Sequence, residues 1–298
     1  MEQFAVIIVG AGPAGLSGAI YTARGTAATL VLGGKPKIAG PYPIDNYFGF
    51  AETVMGEELL RHGTAQAERF GAVIKNEIVL TAYYDGESGF AVTTKGGQYH
   101  ATALLLAPGV ALNRPNVPRL SEYEGKGVSY CVSCDGFFFR QKPVAVLGEG
   151  DYAAHQALEL LAYTPSVTLC TNGKQITVSQ EFQSKLKEAG IPVIEAPVKA
   201  LEGAPHLTRI AFKDHAELEA EGLFIALGEA SALDFARSLG LEIEKSHIVV
   251  TPDQHTNIPG VFAAGDCTGA FPQIAVAVGD GAKAGRAALQ YIKSRGGQ

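Results

Sequence analysis

The chain has 298 residues, 47% of them apolar, and a formal net charge of −6. The length favours two domains, and the absence of a basic stripe argues against a nucleic-acid partner. No apolar run reaches the roughly 18 residues of a membrane span. The N-terminal apolar run, Phe4–Val9, has no Lys or Arg before it and leads into a glycine turn, which is typical of a buried strand and not of a signal peptide. We therefore expect a cytosolic protein, in which structural disulfides are rare.

The first predicted unit is a βαβ opening: a strand at Phe4–Val9, a G-x-G-x-x-G turn, a helix, and a second strand at Thr29–Leu32. In such a turn the first glycine allows the tight bend, the second lets the backbone approach a pyrophosphate, and the third lets the helix pack on the strand. The helix N-terminus then binds the anion. The residues predicted to bind a dinucleotide cofactor here are Gly10, Gly12, Pro13, Ala14, Gly15 and Gly33. The alternative is a glycine turn without a ligand.

Other residues of the first half are further candidates for contact with the cofactor. Gly33-Gly34-Lys35 stands where an acidic residue usually follows the second strand, so the adenosine ribose needs other partners. Asn46, within Asp45-Asn46-Tyr47-Phe48-Gly49, either contacts the cofactor or is only a turn residue. A predicted strand at Leu104–Ala107 ends in Pro108-Gly109, and Gly109 is included among the predicted cofactor contacts.

The most informative segment is Cys131-Val132-Ser133-Cys134-Asp135-Gly136. Two thiols at this spacing can close a small reversible disulfide, and a helix N-terminus lowers the pKa of such a thiol. Asp135 is placed to exchange protons with the leaving thiol. Three alternatives remain open: a zinc site, which would need a second pair of ligands; two buried inert cysteines; and, for Asp135, a plain Asp-Gly turn.

The remaining cysteines and the histidines predict no metal site. Cys170 and Cys267 are isolated at strand ends, and we expect them to be small core residues. The seven histidines show no metal-ligand spacing.

A second βαβ opening repeats the first. It has a strand at Val144–Leu147, a G-E-G-D-Y-A turn, a helix-like stretch and a strand at Val167–Cys170. Two such openings predict two dinucleotide-binding folds in one chain. The residues predicted to contact a second nucleotide are Gly148, Gly150, Asp151, Tyr152, Ala153 and Asn172.

Near the C-terminus, residues 260–266 predict a strand that runs into a turn, and Ile274–Lys293 predicts a long helix. Asp266 can accept a hydrogen bond from a ribityl hydroxyl of FAD; the alternative is that it only caps the turn. N–H groups at the start of the last helix can stabilise negative charge on a reduced flavin ring. The predicted flavin contacts in this segment are Gly265, Asp266, Gln273 and Ile274.

The predicted fold class is α/β, with two Rossmann-like dinucleotide-binding domains, the second inserted in the first. Residues 1–112 and 246–298 are predicted to form a discontinuous first domain that carries the first glycine turn. Residues 113–245 are predicted to form a second nucleotide-binding-like domain that carries the Cys-x-x-Cys pair.

In these motifs the chain resembles the low-molecular-weight thioredoxin reductase family, nearly from end to end. The most specific parts of the resemblance are Cys131–Phe139, Gly10–Gly15, Asp45–Gly49, Gly260–Asp266 and the helix that begins near Gln273. The resemblance implies FAD in the discontinuous domain, a homodimer, and a thioredoxin-like protein as partner.

The resemblance also implies roles for individual residues. Cys134 would face the flavin C4a atom and form the charge-transfer thiolate, Cys131 would attack the partner's disulfide, and Asp135 would be the acid. In the family the two domains rotate, so that the disulfide alternates between the flavin and the protein partner.

The chain departs from this family where the family binds NADPH. Cys170-Thr171-Asn172-Gly173 replaces the arginine pair, Pro272 replaces an arginine before Gln273, and the glycine-rich segment over the flavin is not recognisable between residues 34 and 43. A 2′-phosphate needs cationic donors, and Lys174 offers a single charge. We therefore predict an electron donor other than NADPH, with ferredoxin one candidate. The second nucleotide stays open between NAD(P)H and another flavin.

The predicted function is FAD-dependent thiol-disulfide exchange through Cys131 and Cys134 with a thioredoxin-like protein or a small disulfide. Three alternatives stay open: a dithiol oxidase that uses oxygen, an ordinary NADPH-dependent thioredoxin reductase, and a non-enzymatic flavin-binding redox sensor.

Overall fold

The structure is a computed structural model that describes residues 2–40, 43–86, 89–109, 115–130, 132–227 and 231–295. Its strands are β1 (Glu2–Val9), β2 (Thr29–Leu32), β3 (Pro43–Ile44), β4 (Val54–Met55), β5 (Val73–Lys75), β6 (Val79–Tyr84), β7 (Phe90–Thr94), β8 (Gly97–Leu106), β9 (Val128–Ser129), β10 (Val144–Leu147), β11 (Val167–Cys170), β12 (Val193–Ile194), β13 (Val198–Glu202), β14 (Arg209–Phe212), β15 (Leu218–Glu219), β16 (Gly222–Ile225), β17 (Ile243–Glu244), β18 (His247–Ile248) and β19 (Val261–Ala263). Its α-helices are α1 (Pro13–Arg24), α2 (Gly56–Arg69), α3 (Val132–Asp135), α4 (Asp151–Leu160), α5 (Gln180–Glu188), α6 (Ala232–Ser238) and α7 (Ile274–Arg295).

Contacts divide the chain into two compact units. Unit 1 comprises residues 1–111 and 231–298, and unit 2 comprises residues 112–230. The second boundary therefore lies at residue 231 and not at the predicted 246. The reason is that α6 packs on β6 of unit 1, where the Ser238 hydroxyl donates a 2.9 Å hydrogen bond to the carbonyl of Ala82.

Unit 1 is built on a sheet whose described strands lie in the order β5-β2-β1-β8-β7-β6, with β19 also paired to β8. The strands β5, β2, β1, β8 and β19 run parallel, whereas β7 and β6 are antiparallel additions. Residues 6–9 are buried on both faces, as expected for a central strand of a parallel sheet. In the sheet, β1 lies between β2 and β8, and both of these strands come later in the chain. The carboxyl end of β1 is therefore a topological switch point, where open α/β sheets bind ligands.

Two helices of unit 1 approach each other unusually closely because of glycine. A Cβ at Gly281 of α7 would lie 2.1 Å from the carbonyl oxygen of Ala14, and one at Gly285 would lie 2.5 Å from that of Gly18. The Ser17 hydroxyl also donates a 2.7 Å hydrogen bond to the carbonyl of Val278. These contacts hold the start of α7 beside the start of α1.

Unit 2 contains a second parallel sheet, with its described strands in the order β12-β11-β10-β16-β9. Here β10 lies between β11 and β16, so its carboxyl end is again a switch point. A smaller antiparallel sheet, β13-β14-β15, belongs to the same unit. All four residues of β10 are buried.

Several sequence predictions are confirmed residue for residue. The strands predicted at Thr29–Leu32, Val144–Leu147 and Val167–Cys170 are β2, β10 and β11. The last helix begins at Ile274, as predicted, and ends at Arg295 instead of the predicted Lys293. In the described part of the chain, no helix combines the length and apolar character needed to cross a membrane.

Candidate functional site

The first predicted cofactor turn lies where β1 ends and α1 begins. A Cβ at Gly10 would lie 2.1 Å from the Ala107 carbonyl oxygen, and a Cβ at Gly15 would lie 1.8 Å from that of Gly10. At Gly12, by contrast, a Cβ would meet nothing nearer than the Pro36 Cβ, 4.0 Å away. Gly12 is the N-cap of α1, so bare backbone stands open at a helix N-terminus. This arrangement fits the pyrophosphate of a dinucleotide such as FAD.

Two further predicted contacts belong to the same edge of the sheet. A Cβ at Gly33, just after β2, would lie 2.5 Å from the backbone nitrogen of Ala11. Gly109 follows β8 with a φ of +72°, a left-handed conformation that favours glycine. Because β2 and β8 flank β1, both glycines lie at the switch point, where the carboxyl ends of these strands meet.

A third segment reaches this edge from the C-terminal part of unit 1. Gly265 follows β19, and a Cβ there would lie 3.0 Å from the Ala14 Cβ at the start of α1. Asp266 lies in the 3₁₀ turn Gly265–Thr268. The N-cap of this turn is Ala264, whose side chain makes no capping hydrogen bond. The contact of Asp266 with a ribityl hydroxyl stays a prediction.

Asn46 and Gln273 are brought together although 227 positions separate them. The Asn46 Nδ2 atom donates a 2.9 Å hydrogen bond to the Gln273 Oε1 atom. Gln273 immediately precedes Ile274, the first residue of α7. The bond thus ties the segment around Asn46 to the helix N-terminus that we predicted to stabilise a reduced flavin.

Sequence reasoning missed a buried carboxyl group behind Gly265. Burial raises the pKa of Asp280 in α7, while the positive charge of Lys283 and a hydrogen bond from the Gly265 backbone lower it in part. Gln254 Nε2 donates a further bond of 3.3 Å to the Asp280 carboxylate. The available signal was an acidic residue, six positions after Ile274, within a stretch of mostly small residues in the long predicted helix.

The Cys-x-x-Cys segment lies in unit 2. Cys131 lies outside the described residues, and for Cys134 only the backbone is described, within α3. Val132, at the start of this four-residue helix, is buried and anchors it. The geometry of the two sulfurs therefore stays a prediction.

Asp135 is held by a residue that sequence reasoning missed. The Ser129 hydroxyl at the end of β9 donates a 2.6 Å hydrogen bond to an Asp135 carboxylate oxygen. Asp135 precedes the 3₁₀ turn Gly136–Phe139 without capping it through its side chain. Gly136 is required for packing, because a Cβ there would lie 2.6 Å from the Tyr163 ring. The role of Asp135 as the acid stays a prediction.

An exposed aromatic pair follows directly. Phe137 and Phe138 are 60% and 68% exposed, and their rings stand edge to face with centroids 6.1 Å apart. The Arg140 guanidinium lies 5.4 Å from the Phe137 ring centroid. Phe139 points the other way and packs on Phe224 of the core. Two large apolar side chains exposed together are typical of a contact surface.

The second glycine turn has the same backbone shape as the first. A Cβ at Gly148 would lie 2.0 Å from the Ala226 carbonyl oxygen, which matches the contact at Gly10. Gly150 is the N-cap of α4, as Gly12 is of α1. Tyr152 and Ala153 are buried on the sheet side of α4.

The chain after β11 is bonded to this second turn. Lys174 Nζ lies 2.5 Å from a Glu149 carboxylate oxygen. The backbone nitrogen and the hydroxyl of Thr177 both donate to the Glu149 carbonyl, at 2.7 and 3.0 Å. Ser179 N donates to the Asp151 carboxylate at 2.6 Å.

Asn172 also has a structural bond. Its Oδ1 atom accepts a 2.8 Å hydrogen bond from the backbone nitrogen of Val198, and its φ of +55° lies in the left-handed region. Asn172 and Asp151 are thus both engaged in holding unit 2 together. Their predicted contact with a nucleotide stays a prediction.

The remaining cysteines are core residues, as expected. Cys170 and Cys267 are buried free thiols, and burial raises the pKa of each to about 12. They therefore stay protonated and unreactive at neutral pH. Among the described residues, no group of His, Cys, Asp or Glu is arranged to hold a metal ion.

Comparison with known proteins identifies a family and several relatives for this chain. Residues 4–281 match the pyridine nucleotide-disulphide oxidoreductase family. The thioredoxin reductase of Streptomyces clavuligerus is 33% identical over 302 residues, which cover 96% of this chain and 93% of the relative. The crystal structure of the atypical thioredoxin reductase TRi from Desulfovibrio vulgaris Hildenborough is 56% identical, with a TM-score of 0.95 over 97% of this chain and 98% of that one. A ferredoxin-flavin thioredoxin reductase from Clostridium acetobutylicum is 28% identical, with a TM-score of 0.73 over the whole of both chains.

The fold and the turn geometry define a flavoprotein with two Rossmann-type domains. The chain belongs to the pyridine nucleotide-disulphide oxidoreductase family and, within it, to the thioredoxin reductases. It is an FAD-dependent disulfide oxidoreductase of the thioredoxin reductase type. The predictions of fold class, family, enzyme class and cofactor are confirmed.

Proposed function

We propose that the chain exchanges electrons between FAD in unit 1 and the Cys131–Cys134 disulfide, and then with a thioredoxin-like protein, using an electron donor other than NADPH. The observation that carries the exchange chemistry is the bond from Ser129 to Asp135, 2.6 Å long, at the end of the helix that contains Cys134. It orients the carboxyl group of the residue that directly follows Cys134 in the chain.

The FAD site proposed in unit 1 combines the Gly10–Gly15 turn, Gly33 and Gly109 with Asn46 and the segment Gly265–Ile274. The pyrophosphate would lie on the open backbone at Gly12 and the N-terminus of α1. The N-terminus of α7, linked to Asn46 through Gln273, would lie beside the ring. FAD supplies a store for two electrons when it is bound.

Thiol-disulfide exchange needs two cysteines with different tasks. The Cys131 thiolate attacks one sulfur of the partner disulfide, which forms a mixed disulfide and releases the other partner sulfur as a thiolate. The Cys134 sulfur then attacks Cys131, which re-forms the Cys131–Cys134 disulfide and releases the second partner thiol. Two electrons pass to the partner, and Asp135 donates a proton to a leaving thiolate.

The partner surface proposed here is formed by Phe137 and Phe138. They follow the Cys-x-x-Cys segment in the chain, and both rings are largely exposed. Arg140 lies over one of them and adds a cation at the edge. An apolar surface with a polar rim suits a small folded protein such as a thioredoxin.

The proposal for the donor depends on the loop after β11. That loop contains no arginine, and its lysine, Lys174, is paired with Glu149. A 2′-phosphate would therefore meet no available cation from this loop. The similar protein from Clostridium acetobutylicum is a ferredoxin-flavin thioredoxin reductase, so reduced ferredoxin is one donor to compare with NADPH. NADH, which lacks the 2′-phosphate, is the other.

Anaerobic stopped-flow reduction of the bound flavin tests the donor. We expect micromolar NADPH to reduce the flavin slowly and without saturation, whereas reduced ferredoxin or NADH reduces it faster. Rapid, saturable reduction by micromolar NADPH would restore an ordinary thioredoxin reductase. Oxygen uptake in the presence of dithiols, if faster than disulfide reduction, would favour a dithiol oxidase instead.

A further inference from the structure

The connection between β11 and α5 crosses the mouth of the second dinucleotide fold. Glu149 follows β10 and Lys174 follows β11, two adjacent parallel strands. Their ion pair therefore spans the carboxyl ends of the two strands, where a dinucleotide fold receives the adenosine ribose. The two bonds from Thr177 to the Glu149 carbonyl hold the connection there.

One of the two Glu149 carboxylate oxygens accepts no hydrogen bond from the described residues. One oxygen lies 2.5 Å from Lys174 Nζ. The other is buried and, among the described residues, has no hydrogen-bond partner. The side chain of Glu149 is 18% exposed and that of Lys174 is 58% exposed, so the carboxylate lies deeper than the ammonium group. A buried carboxylate oxygen needs a donor, and a ribose hydroxyl is one.

Hydrogen bonds define the turn that presents Lys174. The Thr171 hydroxyl donates to the Lys174 carbonyl, and Lys174 N donates to the Thr171 carbonyl at 3.3 Å. Asn172, which occupies the turn, is held by its bond from Val198. The position of Lys174 opposite Glu149 is thus set by the backbone of the turn.

We propose that Glu149 makes unit 2 select an adenosine nucleotide whose ribose lacks a 2′-phosphate. This inference rests on the proposed function, because it specifies why NADPH is disfavoured as a donor. Glu149 engages the one lysine of the loop, which leaves a 2′-phosphate without a cation there, and offers an acceptor to a free 2′-hydroxyl. Because the ion pair is neutral as a whole, it leaves the N-terminus of α4 able to bind a pyrophosphate.

Calorimetric titration of the oxidised holoenzyme with NAD⁺ and NADP⁺ tests the proposal. These ligands differ by one phosphate and do not reduce the flavin, so the result is independent of whether the thiols exchange with a thioredoxin. We expect the wild type to bind NAD⁺ about tenfold or more tightly than NADP⁺. Glu149→Gln should reduce that ratio by about tenfold to a hundredfold, the value of one charge-assisted hydrogen bond.

Two further variants make the test specific. Glu149→Gln combined with Lys174→Ala should lose the NADP⁺ affinity that Glu149→Gln gains. Glu181→Gln is the matched control, because Glu181 forms a 2.7 Å surface pair with Lys185 in the same unit and its loss changes the charge equally. It should leave the ratio unchanged.

Three results overturn the proposal: a wild type that binds NADP⁺ as tightly as NAD⁺, a Glu149→Gln variant whose ratio stays within about twofold of the wild type, or no binding of either ligand at millimolar concentration. If the wild type instead binds NAD⁺ preferentially while NADPH reduces the flavin rapidly, the donor proposal fails and the selectivity proposal stands.

Discussion

The two glycine turns of this protein share a backbone shape and differ in their surroundings. Gly10 and Gly148 each meet a carbonyl oxygen at about 2 Å from an added Cβ, at Ala107 and Ala226 respectively. Beside Gly12, however, the backbone stands open, whereas the second turn is bonded to the chain after β11 through Glu149.

The comparison shows that the glycines and the loop after the next strand have different roles. The glycines specify a bend that brings backbone N–H groups to a helix start. The loop after the next strand decides which nucleotide can use that bend, because it carries the charges that meet the ribose and its substituents. A chain can therefore keep a dinucleotide turn and change its ligand through a few loop residues such as Lys174.

The largest expected effect tests whether unit 2 acts through its thiols. Cys131→Ser and Cys134→Ser should each lower disulfide reductase activity on the order of a thousandfold or more, because each removes a sulfur that must form a bond. If Cys134 has the proposed flavin-facing role, only Cys131→Ser should show a long-wavelength absorbance band, because only that variant keeps the Cys134 thiolate. A band in Cys134→Ser alone would reverse the two roles, and full activity in both variants would remove the pair from catalysis.

A smaller loss is expected at Asp135. Asp135→Asn keeps the shape but cannot deliver a proton, so kcat for disulfide reduction should fall by about 10²–10⁴ while the FAD content is unchanged. Ser129→Ala should lower kcat less, since the carboxyl group remains and only its orientation is lost. Equal kcat values for Asp135→Asn and the wild type would contradict the role of this residue as the acid.

The exposed aromatic pair gives the next effect. Phe138→Ala should raise KM for a thioredoxin by about tenfold, which is the usual size for a large interface aromatic, and leave turnover of a small aromatic disulfide unchanged. Tyr84→Ala, which removes an exposed ring from unit 1, is the matched control. A Phe138→Ala variant that loses activity equally toward both substrates would indicate damage to the Cys-x-x-Cys segment instead of a docking surface.

The smallest effect concerns the helix that begins at the second turn. Burial, followed by the positive charge of Lys185, lowers the pKa of His155 in α4 below its ordinary value of 6.5. The unfolded chain therefore binds more protons than the native protein below about pH 6.5, so this group lowers the free energy of unfolding as the pH falls through that value. The loss is at most about 1.4 kcal/mol per pH unit.

His155→Gln should therefore flatten the fall in melting temperature between pH 7.5 and pH 6. Burial raises the pKa of the neighbouring Glu159 above its ordinary 4.5, which has the opposite sign and acts in the more acidic range. Parallel melting curves for His155→Gln and the wild type over the upper range would contradict the assignment to His155.

Much of the fold could be predicted because it depends on local patterns. The strands β2, β10 and β11 are short apolar runs bounded by turns, which is the sequence pattern typical of buried central strands. The second boundary between the units was predicted at residue 246 instead of Ser231, although the sequence contains a signal for the earlier position. Ser231 and Asp234 form a capping box that begins α6, and this helix belongs to unit 1.

The parts that could not be predicted depend on side-chain contacts that no local pattern specifies. Ser129 meets Asp135, six residues further along the chain, only because β9 ends beside α3. Lys174 meets Glu149 only because the residues after β11 return to the turn after β10. The sequence alone does not show that Lys174 pairs with the Glu149 carboxylate and neutralises its charge.

The central claim is that the first turn holds FAD and the second does not. The most direct test is the FAD released on denaturation from Gly10→Ala and Gly148→Ala, each of which places a Cβ against a carbonyl oxygen in its own turn. Gly279→Ala, where an added Cβ meets nothing within 4 Å, is the control. We predict about one FAD per chain for the wild type, Gly148→Ala and Gly279→Ala, and little or none for Gly10→Ala. Retention of FAD by Gly10→Ala together with its loss from Gly148→Ala would contradict the account.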